Sequence, residues 1–310
     1  MAQAHGLAGS SQPAPNSRSG LPAVAAMCFD RVVATVRQMI EQFSARFAQA
    51  GVDSPRLNAE LLVGFVLGFD RGMVIGVGDR ELTPDQEAQF RKLAQRRLER
   101  EPIDYILGER EFYGRRFIVR PGVLIPRPET ETIIDIVKRE LPRASGWAAD
   151  IGCGSGALAV TLALELPGLR VLATDRSEVA LRVARENALS LGASRVLLAR
   201  MDALAAAAGP FALIVSNPPY IDPKDAAKLQ PEVGRYEPPE ALFGGAEGLV
   251  TPARFLRYAA QRLAPGGLCV FEHAFNQGER MRELALQAGL QDARTVRDLS
   301  GMERVLVARK

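Results

Sequence analysis

Apolar residues between positions 30 and 100 recur with the period of an α-helix. One stripe consists of Val32, Val33, Val36, Met39, Ile40, Phe43 and Phe47, and a second of Leu57, Leu61, Leu62, Phe65, Val66 and Phe69. Such spacing places apolar side chains on one face of a helix. The prolines that follow Ser54 and Thr83 predict where two of the helices begin. Residues 30–100 are therefore predicted to form a small helical bundle.

The pattern changes in residues 101–128. The segment 112–119 is rich in aromatic and β-branched residues around a glycine, which predicts a short β-hairpin. Pro121, Pro126 and Pro128 keep the chain after the hairpin extended, because the residue before a proline avoids helical geometry. We therefore expect a β-hairpin linker between the bundle and the rest of the chain.

After the linker, short apolar runs alternate with helical segments. The predicted strands are residues 148–151, 171–175, 195–199, 211–215 and 267–272, and the predicted helices are residues 129–140, 157–166 and 177–191. This alternation is typical of an α/β fold, in which helices cover both faces of a parallel sheet. Residues 295–297 and 304–308 are expected to add an antiparallel pair. The segment 129–310 is thus predicted to be one doubly wound domain.

The composition is that of a soluble globular protein, and it narrows the choice of partners. Apolar residues make up 47% of the 310 positions and charged residues 24%. The formal net charge is only +3, which gives no reason to expect a nucleic-acid partner. No apolar stretch approaches the ~20 residues that span a bilayer, so no membrane association is expected.

Cysteine usage and the first residues bear on the cellular compartment. Cys28, Cys153 and Cys269 are far apart and form neither a metal-binding nor a disulfide pattern, which is typical of a reducing compartment. We expect a cytoplasmic protein with no bound metal. Residues 1–29 are rich in Ala, Ser, Pro and Gly and are predicted to be a disordered extension. A targeting segment, or a true start at Met27, are the alternatives.

A turn rich in proline follows the strand predicted at residues 211–215. Asn217 would lie at the carboxyl end of that strand, where open α/β sheets bind their ligands. Pro218 and Pro219 cannot continue a strand, so the chain leaves the sheet in a stiff turn. There the side-chain oxygen of Asn217 and the carbonyl oxygen of Pro218 can accept hydrogen bonds from one NH2 group, and Tyr220 can pack against a flat substrate. A strand-ending Asn-Pro turn without chemistry is the alternative interpretation.

A glycine turn, residues 152–156, follows the strand predicted at 148–151. Its spacing differs from the G-x-G-x-x-G of dinucleotide sites, because the third glycine comes one residue early. It still lets a ligand carboxylate approach the free N–H groups of a helix N-terminus. Asp175 ends the next predicted strand, where an acidic residue binds a ribose diol, and Asp202 at the end of the third can accept from an exocyclic amine. These groups fit a nucleoside joined to an amino acid, which favours S-adenosylmethionine over NAD.

Several motifs make the sequence after residue 30 similar to a known family. They are Ser54-Pro55-Arg56-Leu57, Glu101-Pro102 with Tyr105-Ile106-Leu107-Gly108, the run from Val123 to Glu131, Asp150 to Gly156, Asn217 to Ile221, Tyr236-Glu237-Pro238, and Glu272-His273 with Gln277. With them the sequence resembles the release-factor glutamine methyltransferases, which are class I methyltransferases that act on a planar amide nitrogen. The Ile-Pro-Arg-Pro-Glu-Thr-Glu run is the most specific motif, since other families with Asn-Pro-Pro-Tyr lack it.

The resemblance implies both an architecture and a reaction. The α/β part, residues 129–310, would be a Rossmann-like class I methyltransferase domain, joined by the β-hairpin linker 101–128 to a smaller N-terminal helical bundle. That bundle, residues 30–100, would bind the release factor. The methyl donor would be S-adenosylmethionine, and the acceptor would be the glutamine of a Gly-Gly-Gln loop in a peptide-chain release factor. We expect a monomer.

The resemblance also implies roles for individual residues. The donor would be held by Asp150, Gly152, Cys153, Gly154, Ser155, Gly156, Asp175, Asp202, Ala203 and Asn217. The catalytic residues would be Asn217 and Pro218, and the target glutamine would be bound by Asn217, Pro218, Pro219 and Tyr220. In the alternative interpretation Asp175 and Asp202 only cap helices and Cys153 only packs beside the turn. His273 is assigned no role.

Three other functions share parts of this pattern. An adenine-N6 or guanine-N2 nucleic-acid methyltransferase would use the same proline turn on a flipped base, but it predicts a basic face and a target-recognition insertion, which the sequence lacks. A binding protein could keep the donor fold without turnover. An NAD oxidoreductase is disfavoured by the spacing of the glycines.

Overall fold

The computed structural model describes residues 34–310 of the chain. The predicted disordered extension, residues 1–29, lies outside the described residues, as do Cys28 and the first two valines of the first stripe. The α-helices are α1 (Val36–Gln49), α2 (Pro55–Leu67), α3 (Arg71–Gly76), α4 (Pro84–Leu98), α5 (Ile103–Leu107), α6 (Glu131–Glu140), α7 (Ala157–Glu165), α8 (Glu178–Ser190), α9 (Pro231–Tyr236), α10 (Pro239–Leu242), α11 (Val250–Arg262) and α12 (Gly278–Gln287). The strands are β1 (Glu109–Phe112), β2 (Arg115–Ile118), β3 (Gly146–Ile151), β4 (Leu169–Asp175), β5 (Val196–Arg200), β6 (Phe211–Ser216), β7 (Leu263–Glu272), β8 (Gln291–Arg297) and β9 (Glu303–Arg309). Short 3₁₀ helices lie at Pro128–Thr130, Pro223–Lys228 and Ala246–Gly248. Within residues 34–310, no helix has the length and apolar character that crossing a membrane requires.

Helices α1 to α4 pack around a hydrophobic core of their own. α1 begins after Thr35, whose hydroxyl accepts from the backbone N–H of Gln38 while the Gln38 side chain accepts from the Thr35 N–H. This arrangement satisfies two donors that the first turn of a helix leaves free. The predicted inward face of α1 is confirmed, because the stripe residues inside the described range are all buried: Val36, Met39, Ile40, Phe43 and Phe47.

The predicted inward face of α2 is partly wrong. Leu57 and Phe65 are 36% and 48% exposed, whereas Leu62 is buried as predicted. α2 is apolar around most of its circumference, so its periodicity alone does not select a face. The polar residue Asn58 is buried on the inward side, where its side-chain oxygen accepts a hydrogen bond from Arg97 at 2.7 Å. A tertiary contact thus decided the orientation of this helix.

The predicted β-hairpin of the linker is present. β1 and β2 pair in antiparallel fashion, with Phe112 opposite Arg115. The buried side chain of Asn187, on α8, fastens the hairpin to the α/β domain: its oxygen accepts from the Ile118 N–H at 2.7 Å, and its NH2 donates to the carbonyl oxygens of Ile118 and Ser155 at 3.0 and 2.9 Å. Because Ser155 belongs to the glycine turn, the hairpin is fixed beside that turn.

Within residues 34–310, the main sheet has seven strands in the order β5-β4-β3-β6-β7-β9-β8. Neighbouring strands from β5 to β7 are parallel, and β9 is antiparallel to both β7 and β8. The predicted α/β fold and its closing antiparallel pair are therefore confirmed. β4 and β5 lie on one side of β3, and β6 lies on the other. Open α/β sheets bind ligands in the crevice at such a reversal of strand order.

Alternate residues of the central strands face two different cores. Ala148 of β3 and Leu213 of β6 belong to one core, together with α6, α7 and α8. Ala149 and Ile214 belong to the other, together with α11 and α12. Side chains of successive strand residues point to opposite faces, and here both faces are covered. The central strands are consequently apolar over most of their length.

The helical bundle contacts the α/β domain through α9. Arg97 and Arg100 both donate to the carboxylate of Glu232, over distances of 2.6 to 2.8 Å. The side chains of Arg97 and Glu232 are only 5% and 12% exposed. Close to these groups, Gln230 donates to the carboxylate of Asp53 at 2.9 Å. These contacts join α9 to the bundle. Because buried ion pairs are screened little by salt, the contact between Glu232 and the two arginines should persist at high ionic strength.

Candidate active site

Two turns meet where the strand order reverses. β3 leads into the glycine turn and β6 into Asn217, and the two strands are neighbours with Asp150 opposite Val215. The hydroxyl of Ser216 donates to the carbonyl oxygen of Ile151 at 2.7 Å and ties the two strand ends together. Both turns therefore leave the sheet side by side at its carboxyl edge.

A cavity of about 720 Å³ lies against these turns. The predicted site residues that line it are Asp150, Gly152, Cys153, Gly154, Ser155, Asp175, Asp202, Ala203, Asn217 and Pro219. Gly156 is not among the lining residues: it packs on α8, where an added Cβ would lie 3.0 Å from the Cβ of Ala184. Gly156 therefore lets two helices approach each other. Pro218 and Tyr220 line a second, smaller cavity.

The glycine turn leaves space for a ligand against its backbone. Gly152 and Gly154 have φ angles of +72° and +54°, a left-handed conformation that other residues disfavour. A Cβ on Gly154 would meet no atom within 4 Å, so the space beside it is open. α7 begins at Ala157, directly after the turn, and the free N–H groups at a helix N-terminus favour an anion such as a carboxylate.

Asp175, the last residue of β4, both supports the turn and faces the cavity. Its carboxylate accepts from the backbone N–H of Gly154 at 3.0 Å and from that of Ser177 at 2.8 Å. Burial raises its pKa, and these backbone hydrogen bonds act in the opposite direction. Each carboxylate oxygen can accept a further hydrogen bond. Asp175 thus keeps acceptor capacity for a ribose diol while it orders the turn.

Asp202 lies two residues beyond the last residue of β5, at the strand end where it was predicted. Its Oδ2 accepts from Arg254 of α11 at 2.8 Å. Its Oδ1 is buried and has no partner in the described part of the chain. Ala203 contributes only a methyl group to the cavity wall, and the ring of Phe255, which lines the same cavity, provides the larger apolar surface. A planar ring with an exocyclic amine would find both a flat contact and an acceptor here.

Asp150 carries the second unpartnered oxygen. Its Oδ2 accepts from the backbone N–H of Ala159 at 3.1 Å, whereas its Oδ1 is buried without a partner among residues 34–310. Complete burial raises the pKa of Asp150 to about 7, and the nearby charge of Asp175 contributes to the rise. A cation that entered the cavity would favour the ionised form.

These groups fit S-adenosylmethionine. Buried polar atoms are normally hydrogen-bonded, so the free oxygens of Asp150 and Asp202 require N–H donors. The ligand has two such groups, the ammonium of its methionine part and the amine of its adenine. Its carboxylate suits the glycine turn, and its ribose hydroxyls suit Asp175. A volume of about 720 Å³ is ordinary for a cofactor site, since such pockets measure about 300–1,000 Å³.

The carboxamide of Asn217 is oriented by the segment before α6. Its Nδ2 donates to the hydroxyl oxygen of Thr130 at 3.1 Å. Because the NH2 end faces Thr130, the Oδ1 end is turned away and can accept a hydrogen bond from a ligand. Asn217 lines the large cavity and also the second one.

The second cavity, of about 220 Å³, adjoins the first at Asn217. Of the residues predicted to bind the glutamine, Asn217, Pro218 and Tyr220 line this cavity, whereas Pro219 lines the large one. Arg127 also lines it and donates to the buried carboxylate of Glu237 at 2.6 Å. The rest of its wall is mostly apolar and includes Leu124, Ile221, Leu229, Val233, Ala241 and Leu242. A short side chain that entered this cavity would meet the Asn217 end of the large cavity.

The proline turn packs closely against two glycines of the loop that precedes α11. A Cβ on Gly248 would lie 1.8 Å from the carbonyl oxygen of Tyr220, and one on Gly244 would lie 2.4 Å from that of Pro219. Gln277 donates to the same Tyr220 oxygen at 3.0 Å. Sequence reasoning missed both glycines, because contact between distant segments leaves no local pattern.

Other residues of the site also escaped sequence reasoning. Thr130 belongs to the family-specific run 125–131, which was the available signal, but Arg254 and Phe255 lie in an ordinary amphipathic helix.

His273 is buried, its pKa is lowered by burial, and it lines neither cavity. Burial also raises the pKa of the Cys153 thiol, which keeps it protonated and unreactive. Among residues 34–310, no three His, Cys, Asp or Glu side chains are grouped so that they could hold a metal ion.

Comparison with known proteins finds matches over most of the chain. The family model described as the PrmC N-terminal domain matches residues 38–108, and the one described as the methyltransferase small domain matches residues 129–232. A protein of Koribacter versatilis is 40% identical over 280 residues, which are 89% of this chain and 99% of that protein. Proteins of Neisseria gonorrhoeae and Escherichia coli are 42% and 36% identical, over 82% and 88% of this chain and 93% and 97% of their own lengths. All three are named release factor glutamine methyltransferase.

Proposed function

This chain belongs to the family of release factor glutamine methyltransferases, and we propose that it transfers a methyl group from S-adenosylmethionine to the side-chain amide nitrogen of a glutamine in a peptide-chain release factor. The target is the glutamine of a Gly-Gly-Gln loop. The position of Asn217 is the observation that supports this best, because Asn217 lines both cavities. A donor in the large cavity and a glutamine side chain in the small one would meet at Asn217.

The large cavity holds the donor with groups of matched polarity. The glycine turn receives the carboxylate, Asp150 the ammonium, Asp175 the ribose hydroxyls and Asp202 the adenine amine. When bound, S-adenosylmethionine supplies an electrophilic methyl group on a positively charged sulfur. Asn217 is neutral, so its oxygen can approach that methyl group without forming an ion pair with the sulfur. Orientation of the acceptor is therefore expected to contribute more to the rate than electrostatic attraction does.

Orientation matters because an amide nitrogen is a weak nucleophile, with its lone pair delocalised into the carbonyl group. The Oδ1 of Asn217 and the carbonyl oxygen of Pro218 would each accept one N–H of the target, which turns the lone pair toward the large cavity. As the nitrogen–carbon bond forms, the carbon–sulfur bond breaks and sulfur keeps the electron pair. The two oxygens stabilise the positive charge that develops on nitrogen, and the nitrogen then loses a proton to water.

The helical bundle is proposed to bind the release factor away from the reacting loop. Its contact with α9 supports this role, because Glu232 of α9 is held by two arginines of the bundle and the next residue, Val233, lines the small cavity. Binding energy from such a remote contact can help to align the glutamine. We further propose a cytoplasmic monomer that does not bind nucleic acid directly, in keeping with a net charge of only +3.

A methyl-transfer assay on purified release factor, read by mass spectrometry of the peptide that contains Gly-Gly-Gln, tests the proposal. We expect one added methyl group on that glutamine. A release factor with Asn in place of the target Gln is the matched control and should not react, because a side chain one methylene shorter withdraws the nitrogen by about 1 Å, a displacement that can reduce a rate about 10²-fold. Methylation of a DNA or RNA base, with release factor left unmodified, would contradict the proposal and favour a nucleic-acid methyltransferase.

A further inference from the structure

A buried carboxylate lies behind the proline turn, outside the groups that the reaction uses directly. Glu272 is the last residue of β7 and is 1% exposed. Its Oε2 accepts from the hydroxyl of Thr130 at 2.6 Å, and its Oε1 accepts from the hydroxyl of Tyr220 at 3.1 Å. A single carboxylate thus contacts the segment before α6 and the proline turn at once.

The direction of these hydrogen bonds follows from the chemistry of the groups. An ionised carboxylate can only accept, so Thr130 must donate its hydroxyl proton to Glu272. The lone pairs of that hydroxyl then remain for a donor, and the NH2 end of Asn217 is placed there at 3.1 Å. All hydrogen bonds in the chain therefore point one way: Asn217 donates to Thr130, and Thr130 donates to Glu272. The oxygen of the Asn217 carboxamide is left for the substrate.

We propose that Glu272 is a positioning residue, which acts through the Thr130 hydroxyl to keep the oxygen of the Asn217 carboxamide, rather than its NH2 group, turned toward the target nitrogen. This inference rests on the proposed function. If Thr130 could instead donate to Asn217, the carboxamide could turn by half a rotation and present two N–H groups to the substrate amide. Donor would then face donor, and neither N–H of the target would be held.

The direction of these hydrogen bonds is fixed only while Glu272 is ionised. Burial raises its pKa to about 7, against the effects of its two hydroxyl donors and of Arg304 on β9, while Glu129 beside Thr130 adds to the rise. The adjacent His273 has its pKa lowered by burial and is neutral near pH 7. Below pH 7, a protonated Glu272 can donate to the hydroxyl oxygen of Thr130. The hydroxyl proton of Thr130 can then point toward Asn217. Turnover should therefore fall with acidification through about pH 7.

Variants at Thr130 test the central link. Thr130→Val removes the hydroxyl but keeps the shape of the side chain. The kcat on release factor should fall about 10- to 100-fold, which approaches the effect of deleting a preorganised polar contact. The Kd for S-adenosylmethionine should change by less than about fivefold, since one neutral hydrogen bond contributes only about 1 kcal/mol. Thr130→Ser restores the hydroxyl and should recover most of the rate. If Thr130→Val and wild type turn over equally, the proposal is wrong.

Glu140→Gln is the matched control for loss of a carboxylate. Glu140 ends α6, the helix that follows Thr130, and accepts from Arg294 and Arg309 at 2.8 and 3.1 Å. This variant should keep both the wild-type kcat and the wild-type pH profile, whereas Glu272→Gln should lose the dependence of kcat on pH between about 6 and 8, measured at saturating donor. An unchanged acidic limb in Glu272→Gln would overturn the role of the carboxylate.

A spectroscopic readout separates this inference from the proposed function. The side-chain NH2 signal of Asn217, in protein labelled with ¹⁵N-asparagine and assigned by its loss in Asn217→Ala, should shift with pH in wild type and not in Glu272→Gln. This measurement needs no release factor. A wild-type enzyme that titrates in this way yet leaves release factor unmodified would contradict the proposed substrate alone. Active enzyme whose Asn217 signal is the same in Thr130→Val would contradict the positioning role alone.

Discussion

The two turns that face each other in the candidate active site are held in place in different ways. The glycine turn is held from within its own stretch of chain: Asp175 and Asn187, its main polar partners, lie 21 and 32 residues further on. The proline turn is held by remote segments. Asn217 bonds to Thr130, 87 residues earlier, and Tyr220 bonds to Glu272, 52 residues later.

This difference indicates that a mutation can disturb the geometry of one turn and leave that of the other intact. The glycine turn forms with the strands and helices next to it, so its geometry survives changes elsewhere in the domain. The proline turn is correct only when several distant segments are packed, and a small shift in any of them moves the oxygens that hold the substrate. Donor binding should therefore be robust, and the orientation of the acceptor should be the sensitive property.

The largest effect is expected from Asn217→Ala, which removes one of the two acceptors for the target nitrogen. The value of kcat should fall by about 10²–10³, the range measured when one preorganised polar contact is deleted. Calorimetric titration with S-adenosylmethionine should show a much smaller change in Kd. Near-normal turnover of this variant would rule out the mechanism on the acceptor side.

Gly248→Ala tests the packing of the proline turn against the loop that precedes α11. The new Cβ would fall 1.8 Å from the carbonyl oxygen of Tyr220, so Tyr220 must move, and a displacement of about 1 Å can cost about 10²-fold in rate. The expected result is a large loss of kcat with donor affinity retained. Gly76→Ala, where a Cβ meets no atom within 4 Å, is the control and should be neutral for both quantities. Equal losses of kcat and donor affinity in Gly248→Ala would show that the turns are coupled.

Asp175→Ala tests the glycine turn and donor binding. Loss of the two hydrogen bonds to the ribose hydroxyls should weaken donor binding by at least about 10²-fold, since each charge-assisted hydrogen bond is worth about 1.5–3 kcal/mol. At saturating donor, kcat should change little. The domain should remain folded, which thermal unfolding followed by circular dichroism can verify. Unchanged donor affinity would mean that the ribose does not bind at Asp175.

The pKa of Asp150 predicts a smaller, pH-dependent effect. The folded-state pKa of about 7 exceeds that of an unfolded aspartate, about 3.9, so the neutral form is favoured by folding. Its contribution to stability is complete below about pH 4 and is lost as the pH rises through about 7. Donor binding should respond in the opposite sense, because the ammonium prefers ionised Asp150. The affinity should rise about fivefold from pH 6 to 7, as the ionised fraction grows from about one tenth to about one half.

Asp150→Asn is the variant that checks this assignment. An asparagine keeps the size of the side chain but cannot ionise. Calorimetric titrations with the donor at several pH values should then show affinity that no longer depends on pH. A wild-type protein whose donor affinity is flat over this range would place the ammonium elsewhere in the cavity.

The smallest effect is expected from Glu232→Gln, at the contact between the bundle and α9. The KM for intact release factor should rise roughly three- to fivefold, because Gln keeps a hydrogen bond to the arginines and exchanging a charged acceptor for a neutral one costs about 1 kcal/mol. Turnover of a short Gly-Gly-Gln peptide, which cannot reach the bundle, should be unaffected, as should donor affinity. A loss that is equal for peptide and protein would argue against a role of the bundle in binding release factor.

Much of the fold was predictable from the sequence because its elements have local signals. The strands, the glycine turn, the hairpin and the start of α4 were each predicted near their observed bounds. α2 shows the limit of such signals: its apolar residues surround the helix, and Leu57 and Phe65 proved to be exposed. In the site, Asn217 and Asp175 could be recognised from their places at the carboxyl ends of strands. Thr130, Gly248 and Glu272 could not be given roles, because each acts only through a tertiary contact that leaves no local sequence pattern.

The sequence by itself determined which chemical groups are available: glycines that accept left-handed backbone, carboxylates at strand ends, and an asparagine followed by two prolines. These are properties of a few consecutive residues and of the strand that precedes them. Only the tertiary structure decided which end of the Asn217 carboxamide faces the substrate, and which glycines make room for the carbonyl oxygens of the proline turn. The physical reason is that a hydrogen bond or a steric contact depends on ångström distances, and between remote segments packing alone sets these.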